Sequence, residues 1–184
     1  MTGRLTLICC GSTEANRFGA FARDEPLEPG AIERARMVAS GLARADRVWR
    51  SPALRAVETA GALGLEGELR EALRDQDFGQ WAGRKLAEVE QGELATWMSD
   101  PDAAPHGGES LRDLRRRVSA FLAEALGMAG HTLAITHPPV IRAAVCEVLD
   151  APPQGFWSVD VEPLGLTRFT SDGRRWALRL AALR

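Results

Sequence analysis

Two cysteines, Cys9 and Cys10, stand side by side directly after an apolar run rich in β-formers, Leu5 to Ile8, and directly before Gly11 and a set of small polar residues. A buried strand that hands its last side chains to a glycine-turned loop is how α/β proteins build a site at the carboxyl edge of a sheet. Thiols delivered there can serve as nucleophiles, as soft-metal or redox groups together with a histidine such as His137, or as small apolar filler. Adjacent residues on a strand point to opposite faces, so Cys9 and Cys10 meet one ion only if the chain bends at the loop. Three further residues have types suited to join them. Arg55 lies on a helix opened by Ser51-Pro52, Asp75 in a polar connection, and His137 at the end of a buried strand. Taken singly, each has an ordinary explanation: a surface ion-pair partner, a solvated loop carboxylate, a strand-end histidine.

The elements that must position these residues follow from periodicity and punctuation. Phe18 to Glu28, with Pro26, predicts a surface loop. Pro29-Gly30 then opens a helix with Ile32, Ala35, Val38, Ala39 and Leu42 at helical spacing. Asp46 to Arg50 predicts a short strand, and a proline just inside a helix start, after serine, predicts a helix over about Ala53 to Leu63 that presents Arg55 and Thr59. Glu68 to Arg74 reads as a third strand or extended segment. Arg84 to Met98 reads as helix in two pieces broken near Gly92, and Asp100 to Gly108 as loop. Glu109 to Met128 is the longest predicted helix. Ser110 and Asp113 resemble a capping box there, and Leu111, Leu114, Val118, Phe121, Leu122 and Leu126 form its apolar stripe. His131 to Thr136 predicts a buried strand ending at His137-Pro138-Pro139, followed by a helix from about Val140 to Leu149. The rest reads as β-rich: Val159 to Val161, Leu164 to Thr170, a Ser171-Asp172-Gly173 turn, and Trp176 to Leu180. Strands alternating with helices imply a three-layer α/β/α sandwich with a mainly parallel sheet and an antiparallel edge from the closing hairpin. His106 and His131 read as loop and strand-edge residues, Cys146 as core, and the five tryptophans as packing, with Trp81 a candidate for the pocket wall.

Over 184 residues the composition is that of an ordinary globular protein, 45% hydrophobic and 26% charged with a net charge of −2. A single domain over 1–184 is expected, without repeats or an interdomain linker. No basic run points to nucleic acid, and no apolar stretch approaches a membrane span or a signal peptide. Three cysteines make no disulfide framework, so a reduced, cytoplasmic protein is expected. Lys85 is the only lysine, and the many arginines are candidate anion ligands.

Five stretches, in order, resemble the histidine phosphatase superfamily, also called phosphoglycerate mutase-like, and within it the small bacterial branch that includes α-ribazole-phosphate phosphatase-like proteins. The run Leu5 to Thr13 is similar to that family's strand ending in Arg-His-Gly-Glu-Thr. Ser51-Pro52-Ala53-Leu54-Arg55-Ala56-Val57-Glu58-Thr59-Ala60 resembles its Ser-Pro-x-x-Arg-Ala-x-x-Thr-Ala helix start. Asp77 to Gly83 resembles Phe-Gly-x-Trp-Glu-Gly, Gly107 to Ser110 resembles Gly-Gly-Glu-Ser, and Leu133 to Arg142 resembles a strand ending in Ser-His-Gly-Gly-x-x-Arg. The resemblance implies a pocket at the carboxyl ends of the strands and a metal-free reaction. There a histidine attacks phosphorus, arginines and a second histidine neutralise the phosphoryl oxygens, and a carboxyl group protonates the leaving oxygen. By this resemblance Arg55 matches a phosphate arginine, His137 the second histidine, and Asp75 the proton donor, one methylene shorter than the usual glutamate. Thr13 and Asn16 fall where loop polar groups line the phosphate. No cofactor is implied.

The departures gather at the opening. Cys9 stands at the first phosphate arginine and Cys10 at the nucleophilic histidine. Ser12 and Ala82 replace acids, and Pro138, which has no N–H, replaces a glycine. Loss of a nucleophile costs on the order of 10⁶ in rate in a well-studied protease, and loss of one charged donor about 10²–10³. Cysteine also falls roughly 2–3 Å short of histidine's reach. The favoured expectation is a degenerate site that binds phosphate or a phosphorylated small molecule with little or no phosphatase activity. One alternative is a phosphatase rebuilt on Cys10. Against it, cysteine phosphatases carry an arginine six residues after the cysteine, where this chain has Asn16 after Cys10 and Ala15 after Cys9. The other alternative is a soft-metal or redox site at Cys9 and Cys10.

Overall fold

The computed structural model describes residues 2–180. Its centre is a six-stranded sheet formed by β1 (Gly3–Cys9), β2 (Arg47–Arg50), β3 (Glu68–Leu69), β4 (Gly130–Thr136), β5 (Leu166–Ser171) and β6 (Trp176–Arg179). The order is β3-β2-β4-β1-β5-β6, with β3, β2, β4 and β1 parallel, β5 antiparallel to β1, and β6 antiparallel to β5. The helices are α1 (Glu14–Phe18), α2 (Pro29–Val38), α3 (Leu54–Ala62), α4 (Gln91–Ser99), α5 (Leu111–Leu126) and α6 (Pro138–Val148).

Period-two alternation in β1 divides the core. Leu5, Leu7 and Cys9 face α5 and α6, in one cluster with Trp49, Leu114, Phe121, Ile141 and Phe169. Ile8 faces the other way and joins Leu133, Ile135, Ala35 and Ala56 under α2 and α3. The three-layer sandwich with an antiparallel edge is the architecture expected. Cys146 is buried in the first cluster, as read from its helix face.

Several local expectations shift. Of the stripe expected for α2, Ala35, Ala39 and Leu42 pack into the second cluster. Val38 is 48% exposed, and Ala31, outside that stripe, is fully buried, with its Cβ 3.2 Å from where a Cβ on Gly11 would lie. The third strand is two residues long and gives way to a 3₁₀ turn at Glu71–Leu73. The segment before α4 breaks at Val89–Glu90, where the Glu90 side chain caps Glu93 N–H, and not at Gly92. Ser110 caps α5 as expected by accepting from Asp113 N–H, although Leu126 is only half-buried. Pro138 and Pro139 are the first residues of α6 itself, tolerated where the N–H groups have no helical partner anyway. Val159–Val161 forms no strand. His106 lies in a loop and Trp81 in packing, as read, but both are buried, at 0% and 1% exposure, in an aromatic cluster with Phe21, Phe78 and Trp97. His131 is buried as well.

Two glycines make this cluster possible by letting two distant stretches touch. A Cβ on Gly79 would lie 2.1 Å from the His106 carbonyl oxygen, and one on Gly108 would lie 2.1 Å from that of Asp77. Gln80 N–H donates to His106 O (2.9 Å) and Glu109 N–H to Asp77 O (2.8 Å). Within this unit Gly108 N–H donates to His106 Nδ1 (3.0 Å), so the ring is neutral with its proton on Nε2. Burial holds the His106 pKa below its ordinary value, against a weaker opposing pull from Asp77. The folded protein therefore takes up this proton less readily than the unfolded chain. That contribution to stability is complete above the unfolded pKa of about 6.5 and is lost as pH falls below it, at no more than about 1.4 kcal/mol per pH unit. Denaturant unfolding followed across the acid range should show this loss, and His106→Asn, which keeps an acceptor for Gly108 N–H, should flatten it. An unchanged pH slope in that variant would refute the assignment.

Candidate active site

Register places the site residues. Cys9 of β1 lies opposite Thr136 of β4, and Arg50 of β2 opposite Ile135, so the residues that follow the three strand ends, Cys10, His137 and Ser51, arrive side by side. Cys10 N–H donates to Thr136 O (2.8 Å) and Ser51 N–H to Ile135 O (2.9 Å), extending the ladders by one residue. His137, the N-cap residue of α6, approaches Cys10 Sγ through Nδ1 (3.6 Å) and Ser51 Oγ through Nε2 (2.7 Å). It is fully buried.

Arg55 and Asp75 close over this row. Arg55 comes from the first turn of α3. One of its guanidinium nitrogens donates to Asp75 Oδ2 at 2.6 Å and the other to the Arg23 carbonyl at 2.8 Å. Asp75 Oδ2 also lies 3.7 Å from His137 Nδ1. The Asp75 backbone is pinned from behind. Glu109, buried at the start of α5, binds Arg117 through both carboxylate oxygens (2.7 and 2.9 Å) and Arg74 (3.1 and 3.2 Å). Arg117 in turn donates to the carbonyls of Ala72, Arg74 and Asp75. Thr136 Oγ1 ties Leu73 O to β4 (2.8 Å). At the loop after β1, Thr59 Oγ1 accepts from Gly11 N–H (3.0 Å) and donates to Arg55 O (2.6 Å).

The expected set is thus brought together for Cys10, Arg55, Asp75 and His137. Cys9 is 1% exposed in the apolar cluster and directly precedes Cys10 in the chain. The neighbouring Cys9 thiol, then His137 and Arg55, hold Cys10 well below the ordinary thiol range despite the cost of burial, and the Cys10 neighbour together with burial drives Cys9 well above it. Thr13 and Asn16 are occupied elsewhere. Thr13 N–H donates to Asn16 Oδ1 (2.9 Å) and Thr13 Oγ1 to Glu25 Oε1 (2.7 Å), closing the loop on itself. A metal set of Cys9, Cys10 and His137 is not assembled: among the described residues no group of three or more His, Cys, Asp or Glu is placed to hold an ion.

A cavity of about 410 Å³ opens above the strand ends, lined by Arg23, Asp24, Arg55, Asp75, Asp77 and Phe78 among others. Cys10 and His137 do not line it, and lie beneath the Arg55–Asp75 pair at 5% and 0% exposure. Trp81 is absent from the wall, where Phe78 and Ala82 stand. Sequence reasoning missed Arg23 and the Ser51 contact to His137. Ser51 was visible inside the Ser-Pro motif, whereas Arg23 lies in a loop without a pattern.

Known proteins resemble this chain in sequence and in fold. A model of the histidine phosphatase superfamily (branch 1) matches residues 5–183. The chain is 31% identical over 125 residues to the bifunctional protein Rv2228c of Mycobacterium tuberculosis, covering 64% of this chain and 34% of that one, so it spans about a third of that relative's length. It is 32% identical over 171 residues to a 2,3-bisphosphoglycerate-dependent phosphoglycerate mutase of Sinorhizobium fredii, covering 82% and 81% of the two chains. Among solved structures, a phosphoserine phosphatase mutant from Entamoeba histolytica in complex with phosphoserine superposes with a TM-score of 0.87 at 24% identity, over 96% of this chain and 94% of that one. With the fold, the order of its motifs and the placement of Arg55 and His137 in hand, the chain belongs to the histidine phosphatase superfamily, branch 1.

Proposed function

We propose that this protein binds phosphate or a phosphorylated small molecule at the strand ends and has little or no phosphatase activity. One observation carries the reading. The cavity offers an anion the Arg55 guanidinium, while Cys10, at the family's nucleophile position, lies beneath the Arg55–Asp75 pair and outside the cavity lining. Cys9 and Cys10 also withdraw the arginine and histidine that the family's phosphoryl transfer uses, and those two losses together remove many orders of magnitude in rate. A bound anion shares Arg55 with Asp75, so the carboxylate competes with the ligand.

Titration calorimetry with inorganic phosphate, and with phosphoserine as a carboxylated probe, should give saturable binding that Arg55→Ala abolishes. Asp75→Asn should tighten binding by roughly tenfold, the worth of one nearby charge in a partly screened site, while lowering unliganded stability by leaving Arg55 unpaired. Absence of heat with every such anion overturns the reading. The double back-substitution Cys9→Arg with Cys10→His should raise hydrolysis of p-nitrophenyl phosphate above the parent protein, because Arg55, Asp75 and His137 remain in place.

A second reading, phosphomonoester hydrolysis with Cys10 as nucleophile, has the lowered Cys10 pKa and the His137 contact in its favour. The thiolate would form a sulfur–phosphorus bond as the ester oxygen leaves with a proton that Asp75 takes up when the incoming phosphate displaces that carboxylate from Arg55. Water would then release phosphate and regenerate the thiolate. Ultraviolet thiolate absorbance should appear below the ordinary thiol pH range and vanish in Cys10→Ser. Hydrolysis that also vanishes in Cys10→Ser would favour this reading over binding alone, and activity unchanged in that variant rules Cys10 out.

A further inference from the structure

The helices on the Ile8 side cover only the parallel half of the sheet. Beyond them, alternation brings Arg4 of β1, Arg168 of β5 and Arg179 of β6 onto one face. Arg4 pairs with Thr170, Thr6 with Arg168, and Arg168 directly with Arg179. With Leu42 and Ala43 as a side wall, these arginines line a groove of about 720 Å³ whose floor is Thr6, Leu133 and the buried His131. No carboxylate lines it. The floor is already satisfied, since His131 Nε2 meets Thr6 Oγ1 (2.9 Å) and His131 Nδ1 meets the Arg44 carbonyl (3.0 Å). A contiguous depression adds Arg175 and one acid, Asp172, whose carboxylate accepts from the backbone N–H groups of Arg174 and Arg175. Asp46, close enough to feel Arg4, accepts from His131 N–H (2.7 Å). Among the described residues, Arg4, Arg168, Arg175 and Arg179 form no salt bridge.

This concentration of charge costs stability in the free protein, because like charges directly opposite on neighbouring strands repel. It is no reflection of a basic chain, whose net charge is −2. Protection of an exposed edge by charged residues explains Arg179 on the edge strand β6, but not Arg4 and Arg168 on interior strands. A bound polyanion accounts for all three. The groove also has direction. Leu166 lies two residues, or about 7 Å, beyond Arg168 along β5, and Leu133 with the Leu42 wall lies across β1 from Arg168, so the arginines and the apolar residues occupy different sides of the groove. The volume is that of a small-molecule site.

We propose that this sheet face binds an organic polyphosphate, a nucleoside diphosphate or triphosphate. Its phosphates bridge Arg4, Arg168 and Arg179, and its nucleoside lies over Leu42, Leu133 and Leu166. The site lies on the face of the sheet and is distinct from the strand-end cavity over Cys10. Calorimetric titration of the full chain with ADP, ATP and inorganic pyrophosphate at physiological ionic strength tests it. ATP should bind saturably, and more tightly than pyrophosphate. The exposed double variant Arg168→Glu with Arg179→Glu should weaken ATP binding by at least about tenfold through two reversed charges. Arg55→Ala, which addresses only the strand-end cavity, should leave it unchanged. No saturable ATP binding, binding undiminished by the double reversal, or loss of ATP binding in Arg55→Ala would each overturn the proposal. Pyrophosphate binding as tightly as ATP overturns the nucleoside assignment, and a duplex oligonucleotide binding more tightly than ATP overturns the small-molecule one.

Discussion

The arrangement at the strand ends depends on one buried ion pair, Arg55 with Asp75. Taking a guanidinium and a carboxylate out of water costs several kcal/mol per ion, and the mutual attraction returns it only when the geometry is tight and the remaining donors are satisfied. Both conditions hold here. The contact is 2.6 Å, the other guanidinium nitrogen finds the Arg23 carbonyl, and Asp75 Oδ1 accepts from Gln76 N–H at 2.8 Å. The Glu109–Arg117–Arg74 network exists, in effect, to hold the Asp75 backbone where this can happen. It can do so only because Gly79 and Gly108 let the Asp77–Trp81 stretch press against the loop before α5.

The same pair also acts on the thiols beneath it, after their mutual proximity, burial and His137. With Cys10 against His137 and near Arg55, negative charge is better tolerated on that sulfur than on Cys9, whose proton is retained in the apolar cluster. The two cysteines are therefore unequal despite being neighbours in sequence. One belongs electrostatically to the site and the other to the core between the sheet and α5–α6. The inequality arises from strand alternation followed by a bend, which no property of the Cys-Cys dipeptide specifies.

The two halves of the sheet differ in what they must solve. The parallel strands β2, β4 and β1 end together, with β1 buried on both faces from Leu5 to Cys9, which is how side chains from Cys10, Ser51 and His137 converge. The antiparallel hairpin β5–β6 is covered on one face only, where Phe169 and Leu178 pack toward α5 and α6. Its other face is free to carry arginines, because nothing there has to be apolar.

Much of this was legible in the residues alone. The alternation of strands and helices, the Ser110 cap, and the motif order Ser51-Pro52…Arg55, Asp77-Phe78-Gly79, Gly107-Gly108-Glu109 and Thr136-His137 point to the layered fold and to four of the site residues. Those signals are local, written in spacing, capping and turn chemistry. What they left open is long-range. A rule that placed Pro52 near a helix start also suits Pro138 and Pro139, but only the packed helix decides that both lie inside it. His106 in a polar loop carries no mark of the aromatic cluster that encloses it, because its neighbours Trp81 and Trp97 arrive from other segments. Arg23, Ser51 and the closure of Arg55 over Cys10 are likewise products of which loops meet. By itself the sequence determined which residues reach the strand ends. The tertiary structure decided which of them face the cavity, because exposure is set by what packs above a side chain, and that partner comes from a distant part of the chain.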